Sequence, residues 1–112
     1  QNLNFEVETA KQLDWHVRGL YPTHPAYVQV AGQRIKITQV QPLDETNTQP
    51  ARYVVEKNKK ELKIAAANHT VLRVLRLQPA GKSEMPIQAY LNGAGKAYVV
   101  GQPWAEKIKN ER

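Results

Sequence analysis

The chain has 112 residues, room for one compact domain and too few for a comfortable second. It is 41% hydrophobic and 23% charged, the balance of a globular protein, and it lacks cysteine, which excludes disulfides, thiolate metal sites and a cysteine nucleophile. Sixteen Lys and Arg against ten Asp and Glu give a formal charge of +6. That excess lies in the second half: residues 1–50 carry four basic and five acidic side chains, residues 51–112 twelve and five. Such a basic half points to a polyanionic partner, nucleic acid or a membrane surface. No apolar run approaches the roughly 18 residues of a membrane span. There is no secretory leader pattern, and Gln at position 1 suggests a piece of a longer protein.

The first predicted element is a helix. Thr9 is placed to cap it with Gln12 as the reciprocal partner. Leu13, Val17 and Leu20 share one face, Gly19 ends the helix, and Pro22 and Pro25 then impose an extended crossing. From Ala26 the period becomes two. Tyr27–Val30, the turn Ala31-Gly32 and Arg34–Val40 form a hairpin, with Ile35 and Ile37 facing one way and Arg34, Lys36 and Thr38 the other. Gln41–Pro50 reads as a polar loop. Arg52–Glu56 is the next strand, Asn58-Lys59-Lys60 a turn, Leu62–Ala66 a strand and Asn68-His69 another turn. Val71–Leu77 is the strongest strand pattern, closed by Gln78-Pro79-Ala80-Gly81. Pro86 opens a short helix with Ile87, Tyr90 and Leu91 inward and Gly93 at its end, and Ala97–Val100 is expected to close the sheet. Five or six short strands with a helix near each end predict a mainly β chain, a small closed or partly open barrel.

Catalytic motifs are missing. Gly81-Lys82-Ser83 resembles the end of a phosphate-binding loop, but Arg76 stands where the first glycine belongs and Pro86 leaves room only for a short helix. Gly93-Ala94-Gly95 lacks the third glycine and the βαβ unit of a dinucleotide fingerprint. His16, His24 and His69 have no partner at metal-ligand spacing and no orienting carboxylate spaced for chemistry, and Ser83, the only serine, has no nucleophile-elbow context. Glu6 and Glu8 are read as complementing the helix dipole. The expected catalytic, cofactor and metal residues are therefore none.

The lysines are the remaining signal. Lys57, Lys59, Lys60 and Lys63 surround one turn, Arg73 and Arg76 lie on the following strand, and Lys82 comes after it. Two readings fit: a polyanion-binding face, or a solvated turn whose charges aid solubility. No aromatic-rich strand interleaves with these charges, so phosphate contact is the favoured binding mode.

The run Leu75-Arg76-Leu77-Gln78-Pro79-Ala80-Gly81-Lys82, followed by Met85 and Tyr90-Leu91-Asn92-Gly93, resembles the carboxyl-terminal domain of bacterial methionyl-tRNA formyltransferases. Arg18-Gly19-Leu20-Tyr21-Pro22, Gly32-Gln33-Arg34-Ile35-Lys36-Ile37, Pro50-Ala51 and Val54-Val55-Glu56 agree in order and spacing, so the likeness spans about residues 13–101 of a single domain covering 1–112. The chain departs from the family at Thr23-His24, where Trp-Pro is common, at the usually glycine-rich turn Ala67–Thr70, and at Ser83, where a second basic residue is usual. The resemblance implies a mainly β, small open Greek-key barrel related to OB folds, with an N-terminal helix and a short helix near the C-terminus. It implies a Rossmann-like N-terminal catalytic domain outside this sequence, 10-formyltetrahydrofolate as the formyl donor of the parent cytoplasmic enzyme, and initiator methionyl-tRNA as the partner. This domain would hold the tRNA by its phosphate backbone, with Lys36, Lys59, Lys60, Lys63, Arg73, Arg76 and Lys82 as the expected contacts and no membrane role. The alternatives are a structural barrel of another formyltransferase, of the amino-sugar or folate-dehydrogenase type, and a free-standing nucleic-acid-binding barrel.

Overall fold

The computed structural model describes residues 2–19 and 25–108. Helix α1 spans Ala10–Val17. Strands follow at Tyr27–Val30 (β1), Gln33–Thr46 (β2), Val54–Lys57 (β3), Leu62–Ala65 (β4) and Thr70–Pro79 (β5). The two-residue β6, Met85–Pro86, leads into helix α2, Ile87–Leu91. All strand pairs are antiparallel, in the order β1-β2-β5-β4-β3, with β6 on β5. Because β2 lies beside β5 while β3, β4 and β5 follow as hairpins, the path is a Greek key. The chain is thus mainly β, an open barrel-like sheet with a helix near each end.

Local chemistry explains the elements that match expectation. Thr9 Oγ1 accepts from the Gln12 N–H at 3.3 Å and Gln12 Oε1 from the Thr9 N–H at 2.8 Å, closing the capping box. Leu13 is buried and Val17 packs against the core, while Gly19, at φ +95°, ends the helix. Leu20, Pro22 and His24 fall outside the described residues. The β1–β2 turn places Ala31 at φ +52° and Gly32 at φ +78°, the left-handed pair whose twist suits a two-residue hairpin. Asn68 and His69, in the turn that is glycine-rich in the resembled family, are both left-handed at φ +61°.

Four stretches differ from the sequence reading, the first being β5, which runs on through Gln78 and Pro79 to pair with Lys36 and Ile35 of β2. β2 continues through Gln41–Thr46, because these residues pair with Arg73–Thr70 of β5. Pro42 is tolerated there because β1 stops pairing at Lys36, leaving that stretch of β2 with a free edge. β3 starts at Val54, since Arg52 at φ +83° breaks the extended run. Ala97–Val100 forms no strand. Its backbone turns back on itself, with the Tyr98 N–H bonded to the Gly95 carbonyl, and leaves Val99 and Val100 exposed.

The gap between edge strands β1 and β3 is instead covered by residues 101–106. Gly101 N–H donates to the Val54 carbonyl, Val54 N–H to Gln102 and Trp104 N–H to Arg52, while Glu106 N–H donates to Gln29 on the other edge. Arg52 Nη1 donates to the Ala105 carbonyl at 2.9 Å. This strap carries Trp104 into the core, edge-on to Phe5 at 6.2 Å and to Tyr98 at 6.4 Å. Leu13, Ile35, Leu62, Ile64, Leu72 and Leu77 form its fully buried centre. Trp104→Ala should therefore cost about 3–5 kcal/mol in urea unfolding. Trp15→Ala, on the outer face of α1 and 53% exposed, should cost within about 0.5 kcal/mol.

Candidate nucleic-acid interface

The cations fall into two groups set by strand register. One is a row across the outer face of the sheet, where Gln41, Arg73, Lys63 and Glu56 stand opposite one another on β2, β5, β4 and β3. Lys63 Nζ lies 3.0 Å from Glu56 and 3.2 Å from Glu45, with Glu61 at 3.9 Å, and its side chain is only 11% exposed. The hydrogen bonds it donates to Glu56 and then to Glu45 outweigh desolvation and hold its ammonium above the ordinary lysine value of 10.5. Arg73 reaches Gln41 at 3.0 Å and Glu61 at 3.5 Å. Arg76 Nε donates to Glu84 at 3.0 Å, and the β2 bulge turns the Thr38 hydroxyl onto the same carboxylate at 2.7 Å. The Thr38 bond, followed by Arg76, pulls the Glu84 carboxyl below its ordinary value.

The second group forms no ion pair with a carboxylate among the described residues: Arg34 and Lys36 on β2, Lys59 and Lys60 in the β3–β4 turn, and Lys82 after β5; Lys11 on α1, Lys57 at the end of β3, and Lys96 and Lys107 beyond α2 lack one too. Tyr27, Lys36 and Gln78 stand opposite one another on β1, β2 and β5, with Arg34 two residues before Lys36 on the same face. Gly81, at φ +77°, turns the chain so that Lys82 follows at that end, and Gln78 Nε2 donates to the Lys82 carbonyl at 2.9 Å. The β3–β4 turn lies beyond the Leu62–Val74 pair, on the β4 side of β5. β4 pairs with β5 as far as Leu62–Val74, and β6 then takes over that edge at Arg76–Pro86 and Leu77–Met85. Asn58 Oδ1 fixes the turn by accepting from the Lys60 and Glu61 N–H groups at 2.8 and 2.9 Å.

Of the seven expected contacts, Lys63, Arg73 and Arg76 thus lie on the sheet's outer face, Lys36 and Lys82 at its β2-start, β5-end rim, and Lys59 and Lys60 in the β3–β4 turn. Lys36, Lys59, Lys60 and Lys82 form no ion pair, although the Lys36 charge acts at a distance on Glu84, whereas Lys63, Arg73 and Arg76 are paired. The sequence reading leaves out Arg34, although the alternation that selects Lys36 points it to the same face. It also leaves out Lys57 and Lys96, joined by a 2.8 Å bond from Lys57 Nζ to the Lys96 carbonyl. The histidine reading needs one correction. His16 has an orienting carboxylate after all, Glu8 at 3.2 Å, which the fold brings from eight residues away. Glu8 therefore serves His16 and the Asn4 N–H, and Glu6 pairs with Arg52, in place of acting on the helix dipole. No group of three His, Cys, Asp or Glu among the described residues is placed to hold a metal, and no described helix is long and apolar enough to cross a membrane.

An open Greek-key barrel with one cationic rim defines a class of module, and comparison with known proteins narrows it. The family model described as formyl transferase, C-terminal domain, matches residues 1–95, and the chain belongs to that family. It is 47% identical over 95 residues to the methionyl-tRNA formyltransferase of Latilactobacillus sakei subsp. sakei, covering 85% of this chain and 30% of that protein. The corresponding enzyme of Lactiplantibacillus plantarum is 46% identical over 101 residues, 89% of this chain and 32% of the relative. That of Ligilactobacillus salivarius is 43% identical over 102 residues, 90% and 31%. The chain therefore spans roughly three-tenths of the length of these relatives.

The Lys63 cluster makes a stability prediction. Lys63→Met leaves three carboxylates without their shared cation and should cost about 1–3 kcal/mol in denaturant unfolding at neutral pH. Because the folded-state value of Lys63 is raised, its contribution is full below the unfolded value and fades as pH climbs through the folded one. The gap between wild type and variant should stay level from about pH 6 to 9 and narrow above about pH 10.5. Glu84 behaves oppositely: its lowered value gives a contribution present above the unfolded carboxyl value and lost as acid protonates it.

Proposed function

We propose that this domain holds tRNA for a methionyl-tRNA formyltransferase, gripping the phosphate backbone and leaving base identity unread. The observation that carries the reading is the segregation of charge. Arg34, Lys36 and Lys82, none of them in an ion pair, gather at one rim, in a domain whose relatives bear that enzyme's name. An open barrel with one basic face is an architecture that suits nucleic-acid contact, and OB-related modules use it in that way. The parent protein would be a cytoplasmic enzyme whose N-terminal, Rossmann-like catalytic domain takes a formyl group from 10-formyltetrahydrofolate and transfers it to the methionyl amino group of initiator tRNA. The barrel supplies no catalytic residue, folate contact or metal ligand to that reaction.

Within this reading Lys36, Lys59, Lys60 and Lys82 make the phosphate contacts. Lys63, Arg73 and Arg76, held by their carboxylates, shape the face from beneath and add less to the net attraction. Contact with phosphates releases counterions, so binding weakens steeply with salt. In the intact enzyme, Lys36→Ala with Lys82→Ala should weaken binding of initiator tRNA and lower the slope of log affinity against log salt by about two. Lys11→Ala, on the exposed face of α1, should leave both unchanged. Unchanged affinity and slope in the double variant would refute the assignment.

A further inference from the structure

The rim holds one arrangement that charge counting does not reveal. The guanidinium carbon of Arg34 lies 3.7 Å from the centroid of the Tyr27 ring, a stacked cation–π contact. Register explains it: Tyr27 stands opposite Lys36, and Arg34, two residues earlier on β2, is its diagonal neighbour on the same face. Tyr27, Arg34, Lys36, Gln78 and Gly81 line one shallow depression to which no acidic side chain contributes. A Cβ built on Gly81 would meet nothing within 4 Å, so the far wall is open to an incoming group.

A stacked guanidinium differs from a lysine on a flexible stem. Resting on the ring narrows the positions open to its planar fork, whose N–H groups match two oxygens of one phosphate. None of those donors is used by a carboxylate or carbonyl among the described residues. The Lys36 ammonium lies beside it in the same depression. We infer that Arg34, pre-oriented on Tyr27, is a clamp for a single phosphodiester of the bound RNA, with Lys36 supplying the second charge. The inference rests on the tRNA-holding reading above and adds to it one fixed point that registers the backbone on the rim.

The test separates geometry from charge. Arg34→Lys keeps the cation and loses the fork, and Tyr27→Leu keeps the arginine and loses its platform. Both are made in the full-length enzyme, and equilibrium binding of an initiator tRNA transcript is measured at two salt concentrations. Each variant should weaken binding by about five- to tenfold, the worth of one charge-assisted hydrogen bond or slightly less. The combined variant should be little weaker than either single one, because both remove the same clamp. Arg34→Lys should leave the salt slope unaltered, since the charge remains. If Arg34→Lys and Tyr27→Leu bind like wild type while the Lys36/Lys82 variant is weakened, the clamp is wrong and the tRNA-holding reading stands. If the Lys36/Lys82 variant also binds like wild type, both fall. A loss confined to Tyr27→Leu, with Arg34→Lys unaffected, also overturns the clamp.

Discussion

The pairing of β2 with β5 is the constraint on which the other parts hang. It joins Ile35–Thr46 to Thr70–Pro79, strands separated in sequence by β3 and β4, and it makes the sheet a Greek key rather than a meander. α1 docks at one end of this pair, where the Ala10 N–H donates to Thr70 Oγ1 at 3.0 Å. At the other end the pair carries Lys36 and Gln78 side by side, with Arg34 and Lys82 adjoining. Irregularities in the pairing matter as well. The register shift around Thr38 turns its hydroxyl to Glu84 and so ties the segment before β6 to the middle of the sheet.

The same framework divides the charge. Acidic residues outnumber basic ones in the ion pairs near the sheet's middle: Glu45, Glu56 and Glu61 around Lys63, Glu61 on Arg73, Glu84 on Arg76. Packing cations in rows on one face would otherwise set like charges opposite each other across strands, which is unfavourable. Of the unpaired cations, Arg34, Lys36 and Lys82 sit at the rim and Lys59 and Lys60 in the β3–β4 turn. The effective charge of the face is therefore concentrated in a smaller area than the composition implies, and a concentrated field is what steers a polyanion.

Much of this was legible in the residues. The capping box at Thr9 and Gln12, the Ala31-Gly32 hairpin, the inward Ile87, Tyr90 and Leu91, and the exposed alternation at Arg34 and Lys36 are local signals, and local geometry obeys them. The misreadings share a different cause. Pro42 looks like a loop residue until β1 is known to stop short of it. Ala97–Val100 looks like a strand until Tyr98 is seen to turn inward towards Tyr90 and Trp104. The partition of Lys63, Arg73 and Arg76 from the unpaired lysines depends on strand order, which brings Glu45 and Glu61 to cations 12 or more residues away. Glu8 with His16 is the same lesson on a smaller scale. Desolvation by burial, and after it the hydrogen bond with the Tyr98 hydroxyl, push the titration of the buried Tyr90 phenol well above its ordinary range.

The central claim is that Arg34, Lys36 and Lys82 at the rim and Lys59 and Lys60 in the β3–β4 turn, rather than the basic half as a whole, meet the RNA. Lysine-reactivity footprinting tests it most directly: the intact enzyme is acetylated with and without initiator tRNA, and each lysine is quantified by mass spectrometry. The account predicts protection at Lys36, Lys59, Lys60 and Lys82, little change at Lys63, which its three carboxylates already shield, and none at Lys11 on α1. Protection centred on Lys11, or equal reactivity of Lys36 and Lys82 with and without tRNA, would contradict it.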